Sequence, residues 1–198
     1  MAYCTTALVK TYLGITGSAD DTLIGTLVVR AQAMIDKYCD RTFEASANTT
    51  NYFDAIRNTN RMVLLFSEGL ELATTPTTVV NGDLATLVVN TDFVTMPTNK
   101  PPFYGLRILP SVSSQWIETS AGNSERAVQV TGKWAYSETA PDDIVAVTVR
   151  LVSFLYRQRD QSGELDRPVS VADGMILLPG RLPADIASIL QPYRRHGY

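Results

Sequence analysis

The sequence predicts an α+β protein in which a small helical bundle carries an inserted antiparallel β-sandwich or barrel-like domain. Helical periodicity is confined to the two ends of the 198-residue chain. From about residue 49 to 137, Thr, Val, Asn, Gly and Pro dominate, and short apolar runs alternate with turn residues. We therefore expect three parts. Residues 1–45 hold the N-terminal helices, 46–140 form the β domain, and 141–198 supply a long helix, an extended arm and a C-terminal helix that completes the bundle.

Two helices are predicted at the N-terminus. Thr5 and Thr6 are both candidates for the N-cap of the first helix, and Gly14 is placed to end it. Asp20 and Asp21 supply a cap and negative charge at the start of the second helix, where the positive end of the helix dipole stabilises negative charge. Its apolar residues recur every three or four positions and form two rows. The rows are Leu23, Leu27, Ala31, Met34, Tyr38 and Ile24, Val28, Ala31, Ile35. A stripe this wide predicts packing partners on both flanks.

A long helix is predicted near residues 141–158. Pro141 occupies a position suited to the first turn, and two aspartates follow it. The apolar run 144–156 contains no Gly or Pro and is longer than a buried strand, which favours a helix with apolar residues on both flanks. A short helix at 184–190 follows, and Pro192 limits its continuation.

The middle of the chain reads as six or seven short strands. Their alternation of apolar and polar residues predicts one buried and one wet face, as in an antiparallel sandwich or barrel. Asn81-Gly82-Asp83 is a predicted hairpin turn. The predicted strands are 62–66, 78–80, 84–89, 93–96, 106–109, 116–118 and 127–136.

Composition narrows the functional classes. With 17 basic and 20 acidic residues the net charge is -3, so no global charge draws the chain to nucleic acid or anionic lipid. Cys4 and Cys39 lack the spacing of a zinc site and predict two free thiols that are buried or semi-buried. The N-terminus lacks a basic region followed by an apolar segment, and the longest apolar windows fall short of a membrane span. We expect a soluble protein made in the cytoplasm.

The chain lacks the residues of common catalytic sites. His196 is the single histidine, so histidine-based triads and metal sites with several imidazoles lack parts. The Gly-containing stretches at 14–17 and 120–124 do not have the pattern of a phosphate loop. Asp20/Asp21 and Asp142/Asp143 are explained by their places at helix starts. We predict no catalytic residue, no cofactor and no metal, and an enzyme is the last of the alternatives.

Several segments resemble one family. Helix one ends in Tyr12-Leu13-Gly14-Ile15, and helix two begins Asp20-Asp21-Thr22-Leu23-Ile24 and ends in Ala33-Met34-Ile35-Asp36-Lys37-Tyr38-Cys39-Asp40-Arg41-Thr42-Phe43. Val130-Thr131-Gly132-Lys133-Trp134-Ala135-Tyr136 leads into Pro141-Asp142-Asp143-Ile144, and the chain closes with Leu190-Gln191-Pro192-Tyr193-Arg194-Arg195. In this order and spacing the segments resemble the tailed-bacteriophage head-tail connector (neck adaptor, gp6-like) proteins.

The resemblance implies a structural virion protein at the neck. Such proteins form a ring, commonly of twelve copies, below the portal, with a central channel for DNA and a lower face for a stopper or tail component. Helices that are apolar on two flanks agree with a ring, because a neighbouring copy can bury the second flank at about 25 cal/mol per Å² of apolar surface.

Two sets of residues are predicted to make the contacts of such an adaptor. The extended arm and the tail are expected to contact the portal, and removal of the chain after Gly180 is expected to leave a folded protein that no longer docks. The portal set is Met175, Ile176, Leu177, Leu178, Tyr193, Arg194 and Arg195, and the DNA-channel or inter-subunit set is Arg150, Arg157 and Arg159.

Two alternatives remain open at this point. A β-sandwich module could bind a carbohydrate or protein ligand through surface aromatics such as Trp116 or Trp134, and exposure of these rings would favour it. A DNA-binding regulator is suggested by the short helix, turn and longer helix at the N-terminus. The second helix carries Arg30 and Lys37 but also two aspartates, which makes a poor groove-reading surface.

Overall fold

The computed structural model describes residues 2–55, 62–66, 69–110, 115–158, 169–170, 176–177 and 182–195. It contains four α-helices and antiparallel sheets, which confirms the α+β class. The chain divides into two compact units. The helical unit consists of Ala2–Asp40 and Pro141–Tyr198, and the β unit consists of Arg41–Ala140.

The four helices lie where the sequence predicts them. They are α1 (Thr6–Leu13), α2 (Asp21–Cys39), α3 (Asp142–Gln158) and α4 (Ala184–Leu190), and a 3-10 turn follows at Gln191–Tyr193.

The predicted caps of α1 are confirmed. The hydroxyl oxygen of Thr5 accepts a hydrogen bond from the Leu8 amide at 3.2 Å. Gly14 ends the helix with a φ of 72°, a left-handed conformation that glycine adopts without strain. The Ile15 amide then donates to the Lys10 carbonyl at 3.0 Å, which satisfies a carbonyl of the last turn.

Helix α3 is the centre of the helical unit, because α1, α2 and α4 all pack on it. It runs antiparallel to α2, since Tyr156 near its end donates a hydrogen bond to Asp20, just before the start of α2. Two polar residues in its buried face are satisfied locally: Thr148 donates to the Ile144 carbonyl and Ser153 to the Val149 carbonyl. The buried residues of α3 are Ile144, Val147, Thr148, Val149, Leu151, Val152 and Ser153.

The second apolar flank of α3 is covered by the chain itself. Val149 and Val152, which belong to this flank, are 6% and 0% exposed, and its other members, Val145 and Tyr156, are half-buried. Three helices around one explain this burial, so α3 does not offer the surplus apolar flank that the sequence suggested. Helix α2 differs, because the row Ile24, Val28, Ala31, Ile35 is buried while the row of Leu23, Leu27, Met34 and Tyr38 is only half-buried.

The β unit contains two antiparallel sheets. The four-stranded sheet has the order β1-β7-β3-β4 and the three-stranded sheet the order β2-β6-β5. A short hairpin, β8-β9, belongs to the C-terminal part of the chain. The strands are β1 (Thr49–Phe53), β2 (Val63–Leu65), β3 (Thr78–Val80), β4 (Thr86–Leu87), β5 (Phe93–Met96), β6 (Gly105–Ile108), β7 (Val128–Gly132), β8 (Val169–Ser170) and β9 (Ile176–Leu177).

Both sheets contribute to one hydrophobic cluster. On β7, Val128 and Val130 are buried while Gln129 is half-buried, which is the predicted alternation. Val79 of β3 lies opposite Val130, and the two side chains are 1% and 0% exposed. Leu106 and Ile108 of the second sheet belong to the same cluster.

The predicted hairpin at Asn81-Gly82-Asp83 is confirmed, since β3 and β4 pair antiparallel across it with Val80 opposite Thr86. The prediction of a strand at 116–118 is wrong. This segment runs as irregular chain against the hairpin turn, where the Asn81 side chain accepts a hydrogen bond from the Ile117 amide and donates one to the Gln115 carbonyl. The side chain of Asn81 thus makes hydrogen bonds that a partner strand would otherwise make to this segment. The sequence of residues 116–118 does not indicate that its hydrogen-bond partner is a side chain.

The first strand, β1, was not predicted. It is an edge strand whose first residues, Thr49 and Thr50, are exposed, and only Phe53 at its end is buried. The apolar alternation that identifies a half-buried strand is therefore too short to recognise.

Candidate association surfaces of the helical unit

One end of the helical unit is formed by the C-terminal tail. The Tyr193 hydroxyl donates to Asp143 at the start of α3, at 3.1 Å. The Arg195 amide donates to the carbonyl of Cys39 at the end of α2, at 2.9 Å. The guanidinium of Arg194 lies 5.8 Å from the centre of the Tyr38 ring, within the range of a cation–π contact. The structure therefore brings Tyr193, Arg194 and Arg195 of the predicted portal set together at this end.

Of the remaining residues of the predicted portal set, the structure describes Ile176 and Leu177. Ile176 and Leu177 form β9, which pairs with β8 through Ile176 opposite Ser170 and Leu177 opposite Val169. Met175 and Leu178 lie outside the described residues.

Helix α4 is part of the core of the helical unit. Ile186 and Leu190 are both 0% exposed, and α4 packs on α3 and α2. Removal of the chain after Gly180 would uncover this surface, so we now expect such a truncation to destabilise the helical unit instead of leaving it folded. The seven-residue helix is too short for its sequence to show how deeply it is buried.

The three predicted arginines have different surroundings. Arg150 forms an ion pair with Asp185 at the start of α4, so its charge is neutralised within the chain. Arg157 is exposed in the last turn of α3. Arg159 lies outside the described residues.

Each helix also exposes a large apolar side chain. Leu8 and Tyr12, one turn apart on α1, are 43% and 59% exposed, and Val29 of α2 is 67% exposed. Phe154 of α3 and Ile189 of α4 are 40% and 39% exposed. The sequence placed Phe154 in the apolar run 144–156 but could not tell which members of the run face outward.

Three tyrosine-to-aspartate hydrogen bonds join the helices of this unit. Besides Tyr156 to Asp20 and Tyr193 to Asp143, the Tyr3 hydroxyl donates to Asp36 of α2. Burial raises the pKa of the Asp36 carboxyl, and the hydrogen bond from Tyr3 acts in the opposite direction. The bonds fix how the helices pair along their lengths, which positions the outer faces of the unit.

Both cysteines are free and buried, as predicted. Burial raises the pKa of the Cys4 thiol to about 11, so the thiol stays protonated and a poor nucleophile near neutral pH. The Cys39 thiol lies 4.0 Å from the Leu190 carbonyl, to which it donates a weak hydrogen bond.

The two tryptophans of the β unit are not exposed binding residues. Trp116 is 2% exposed. Trp134 is half-buried, donates its ring N–H to the Thr49 carbonyl at 2.9 Å, and lies within 6 Å of the rings of Phe53 and Phe66. The ligand-binding alternative thus loses the two tryptophans named for it, while Tyr52 and Tyr104 of the β unit are 44% and 47% exposed.

Within the described ranges, no group of three or more His, Cys, Asp or Glu side chains is placed to hold a metal ion. None of the helices there is both long and apolar enough to cross a membrane.

The four helices of the helical unit expose apolar and charged faces, which offer surfaces for association with other proteins. Comparison with known proteins agrees with the resemblance predicted from the sequence. Residues 5–66 match the family described as "Phage gp6-like head-tail connector protein". This confirms the predicted resemblance over α1, α2 and the first strands of the β unit.

The fold as a whole is similar to that of a protein in a solved structure described as "Neck of empty GTA particle computed with C6 symmetry". The likeness has a TM-score of 0.60 at 14% sequence identity and covers 98% of this chain and 90% of the other. A search of curated proteins by sequence found no match.

Proposed function

We propose that this protein is a neck adaptor of a tailed phage or phage-like particle, with a structural rather than enzymatic role. Copies of the chain form a ring below the portal, extend the channel through which DNA passes, and offer a platform to a stopper or tail-completion protein. The observation that carries the proposal is the match of residues 5–66 to the connector family. The likeness of nearly the whole chain in fold to a neck protein supports it.

The ring is proposed to have cyclic symmetry. The similar neck was computed with C6 symmetry, with which six or twelve copies of a subunit are both compatible. We propose a ring of twelve copies. Native mass spectrometry of the assembled ring measures the copy number directly.

The portal contact is proposed to lie at the end of the helical unit formed by the tail. Tyr193, Arg194 and Arg195 are held there against the end of α2 and the start of α3, so they form a fixed surface rather than a loose extension. The β8-β9 hairpin with Ile176 and Leu177 is proposed to add to this contact. Of the arginines proposed for the channel or for subunit contacts, Arg157 has an exposed charge, whereas Arg150 serves chiefly to hold α4.

The β unit is proposed to be a small sandwich. Support comes from the shared hydrophobic cluster, to which the four-stranded and the three-stranded sheet both contribute buried side chains. Sheets that interdigitate apolar faces in this way are typical of antiparallel sandwiches.

The proposal is tested by removing the gene from the genome that encodes the protein and examining the particles by electron microscopy. We expect heads and tails that accumulate separately, because the layer that joins them is missing. The wild-type gene supplied in trans should restore joined particles. Joined, tailed particles in the absence of the gene would overturn the proposal.

A further inference from the structure

Helix α2 exposes a continuous face on the side opposite its buried row. Successive residues one turn apart along this face are small or carry a single positive charge, apart from Val29, which is 67% exposed. We call this set the α2 face, and its exposed residues are Thr22, Thr26, Val29, Arg30, Ala33 and Lys37.

Helix α3 exposes only a narrow stripe, because three other helices cover the rest of its surface. The stripe has an acidic start, a basic end and one aromatic ring, Phe154, which is 40% exposed. We call this set the α3 face, and its exposed residues are Asp142, Asp143, Ala146, Arg150, Phe154 and Arg157, of which Asp143 already accepts a hydrogen bond from Tyr193.

Four charges on the two faces have no partner in the described part of the chain. Arg30, Lys37, Asp142 and Arg157 form no ion pair or side-chain hydrogen bond there. Among the other charges of the helical unit, Lys10 is paired with Asp21 at 2.6 Å and Arg150 with Asp185, while Asp40 just after α2 is exposed and unpaired among the described residues. The unpaired charges of the two faces are positive toward the end of α2 and negative at the start of α3.

The residues of the two faces also match in their positions along the helix axes. Because α2 and α3 are antiparallel and Tyr156 is level with Asp20, a rise of about 1.5 Å per residue places Phe154 level with Thr22. The same count places Ala146 beside Val29, and Asp142 within about one turn of Lys37. Each large side chain of one face is therefore level with small side chains of the other, and a negative charge lies within about one turn of a positive one.

We propose that the α2 face of one copy binds the α3 face of the next copy, an inference that rests on the proposed ring. The proposal places the helices along the symmetry axis, and because every copy in a cyclic assembly keeps the same direction along that axis, α3 of one copy then passes antiparallel to α2 of its neighbour. Lys37 then meets Asp142, Val29 covers Ala146, and Phe154 packs over Thr22 and Thr26. A two-fold dimer through α2 alone would instead leave Asp142 unpaired.

The charge pair is tested by reversing it. Lys37→Glu and Asp142→Lys are made singly and together, and the association of each protein is measured by sedimentation velocity over a range of concentrations. Each single reversal should weaken association about ten-fold or more, because two like charges then face each other. The double variant should recover most of the loss, since every contact between copies again joins opposite charges.

Matched controls change the same charges elsewhere. Lys100→Glu and Glu125→Lys alter exposed residues of the β unit and should leave association unchanged. Val29→Asp should weaken association while leaving the melting temperature of the single chain within a few degrees of wild type, because the side chain is mostly exposed.

Three results would overturn the proposal. They are a wild-type protein that stays monomeric at every concentration, single reversals without effect, and a double variant whose loss is the sum of the two single losses. An effect of Lys37→Glu without one of Asp142→Lys would indicate a two-fold contact and also contradict it. These outcomes are independent of the gene-deletion test. If the double variant recovers association but particles without the gene are still joined, the contact between copies stands and the neck role does not.

Discussion

At the scale of single residues, the tyrosine-to-aspartate bonds are the polar contacts that fix the helical unit. Each joins a tyrosine hydroxyl to an aspartate carboxylate that lies on a helix or at a helix start. Burial raises the pKa of the Asp36 carboxyl. An ionised Asp36 is therefore less favourable in the folded protein than in the unfolded chain.

This difference predicts a pH dependence for the variant Asp36→Asn. The stability that wild type gains from the raised pKa is present below the unfolded pKa and is lost as pH rises through the folded pKa. Asparagine stays neutral and can still accept the hydrogen bond from Tyr3. The free energy of unfolding of the variant, measured with urea between pH 4 and 7, should therefore improve relative to wild type as pH increases.

Tyr3→Phe is the matched control for that experiment. It removes the hydrogen bond that favours the ionised carboxylate, so it should cost about 1 kcal/mol and cost more at pH 7 than at pH 4. A difference between wild type and Asp36→Asn that does not vary with pH would contradict the prediction.

At the scale of elements, the β3-β4 hairpin is held by its own turn. Asn81, which is 2% exposed, accepts hydrogen bonds from the Gly82 and Ile117 amides through one side-chain oxygen. Gly82 must lack a side chain, because a Cβ there would lie 2.2 Å from the Ile117 carbonyl oxygen and 2.5 Å from that of Glu118. The close approach of two backbone segments, rather than an unusual φ, requires glycine here.

We expect Gly82→Ala to destabilise the protein by about 3 kcal/mol, because the clash is with backbone atoms that cannot rotate away. Gly17→Ala is the control, since a Cβ at Gly17 meets nothing within 4 Å. The control should change the free energy of unfolding by less than about 0.5 kcal/mol. Equal stabilities of the two variants in urea titrations would show that the segment 115–118 moves aside.

Helix α4 is the second element whose role depends on packing. Ile186→Ala should cost about 2–4 kcal/mol, because the side chain is fully buried against the other helices. Ile189→Ala on the same helix is the control and should cost less than about 1 kcal/mol, since Ile189 is 39% exposed. Thermal unfolding of the two variants compares them, and similar losses would contradict the described orientation of α4.

At the scale of the whole molecule, the chain leaves the helical unit after Asp40 and returns to it at Pro141. The segments that enter and leave the β unit lie side by side. The Tyr136 amide donates to the Thr42 carbonyl, the Ser137 hydroxyl donates to the Phe43 carbonyl, and Glu44 and Ser137 form a parallel bridge. Ends that lie this close are typical of a domain that can be inserted in a loop of another fold.

The two thiols report on the opening of the helical unit as a whole, because both are buried within it. With the pKa of Cys4 raised to about 11, about one thiol in a thousand is ionised at pH 8. A chromogenic thiol reagent should therefore react slowly with the native protein and rapidly with two thiols in urea. Rapid reaction of both thiols in the native protein would contradict the described burial.

The sequence by itself determined the helices, the hairpin turn and most strands, because apolar period, caps and turn residues act between neighbours in the chain. It also indicated the resemblance to connector proteins, which the match of residues 5–66 confirms. Only the tertiary structure decided that α3 is covered on both flanks, that the segment 116–118 lies against a turn, that Trp116 is core, and that Arg150 is paired with Asp185. These outcomes depend on partners far away in the sequence. Periodicity shows that a flank is apolar, but only the packed elements show what covers it.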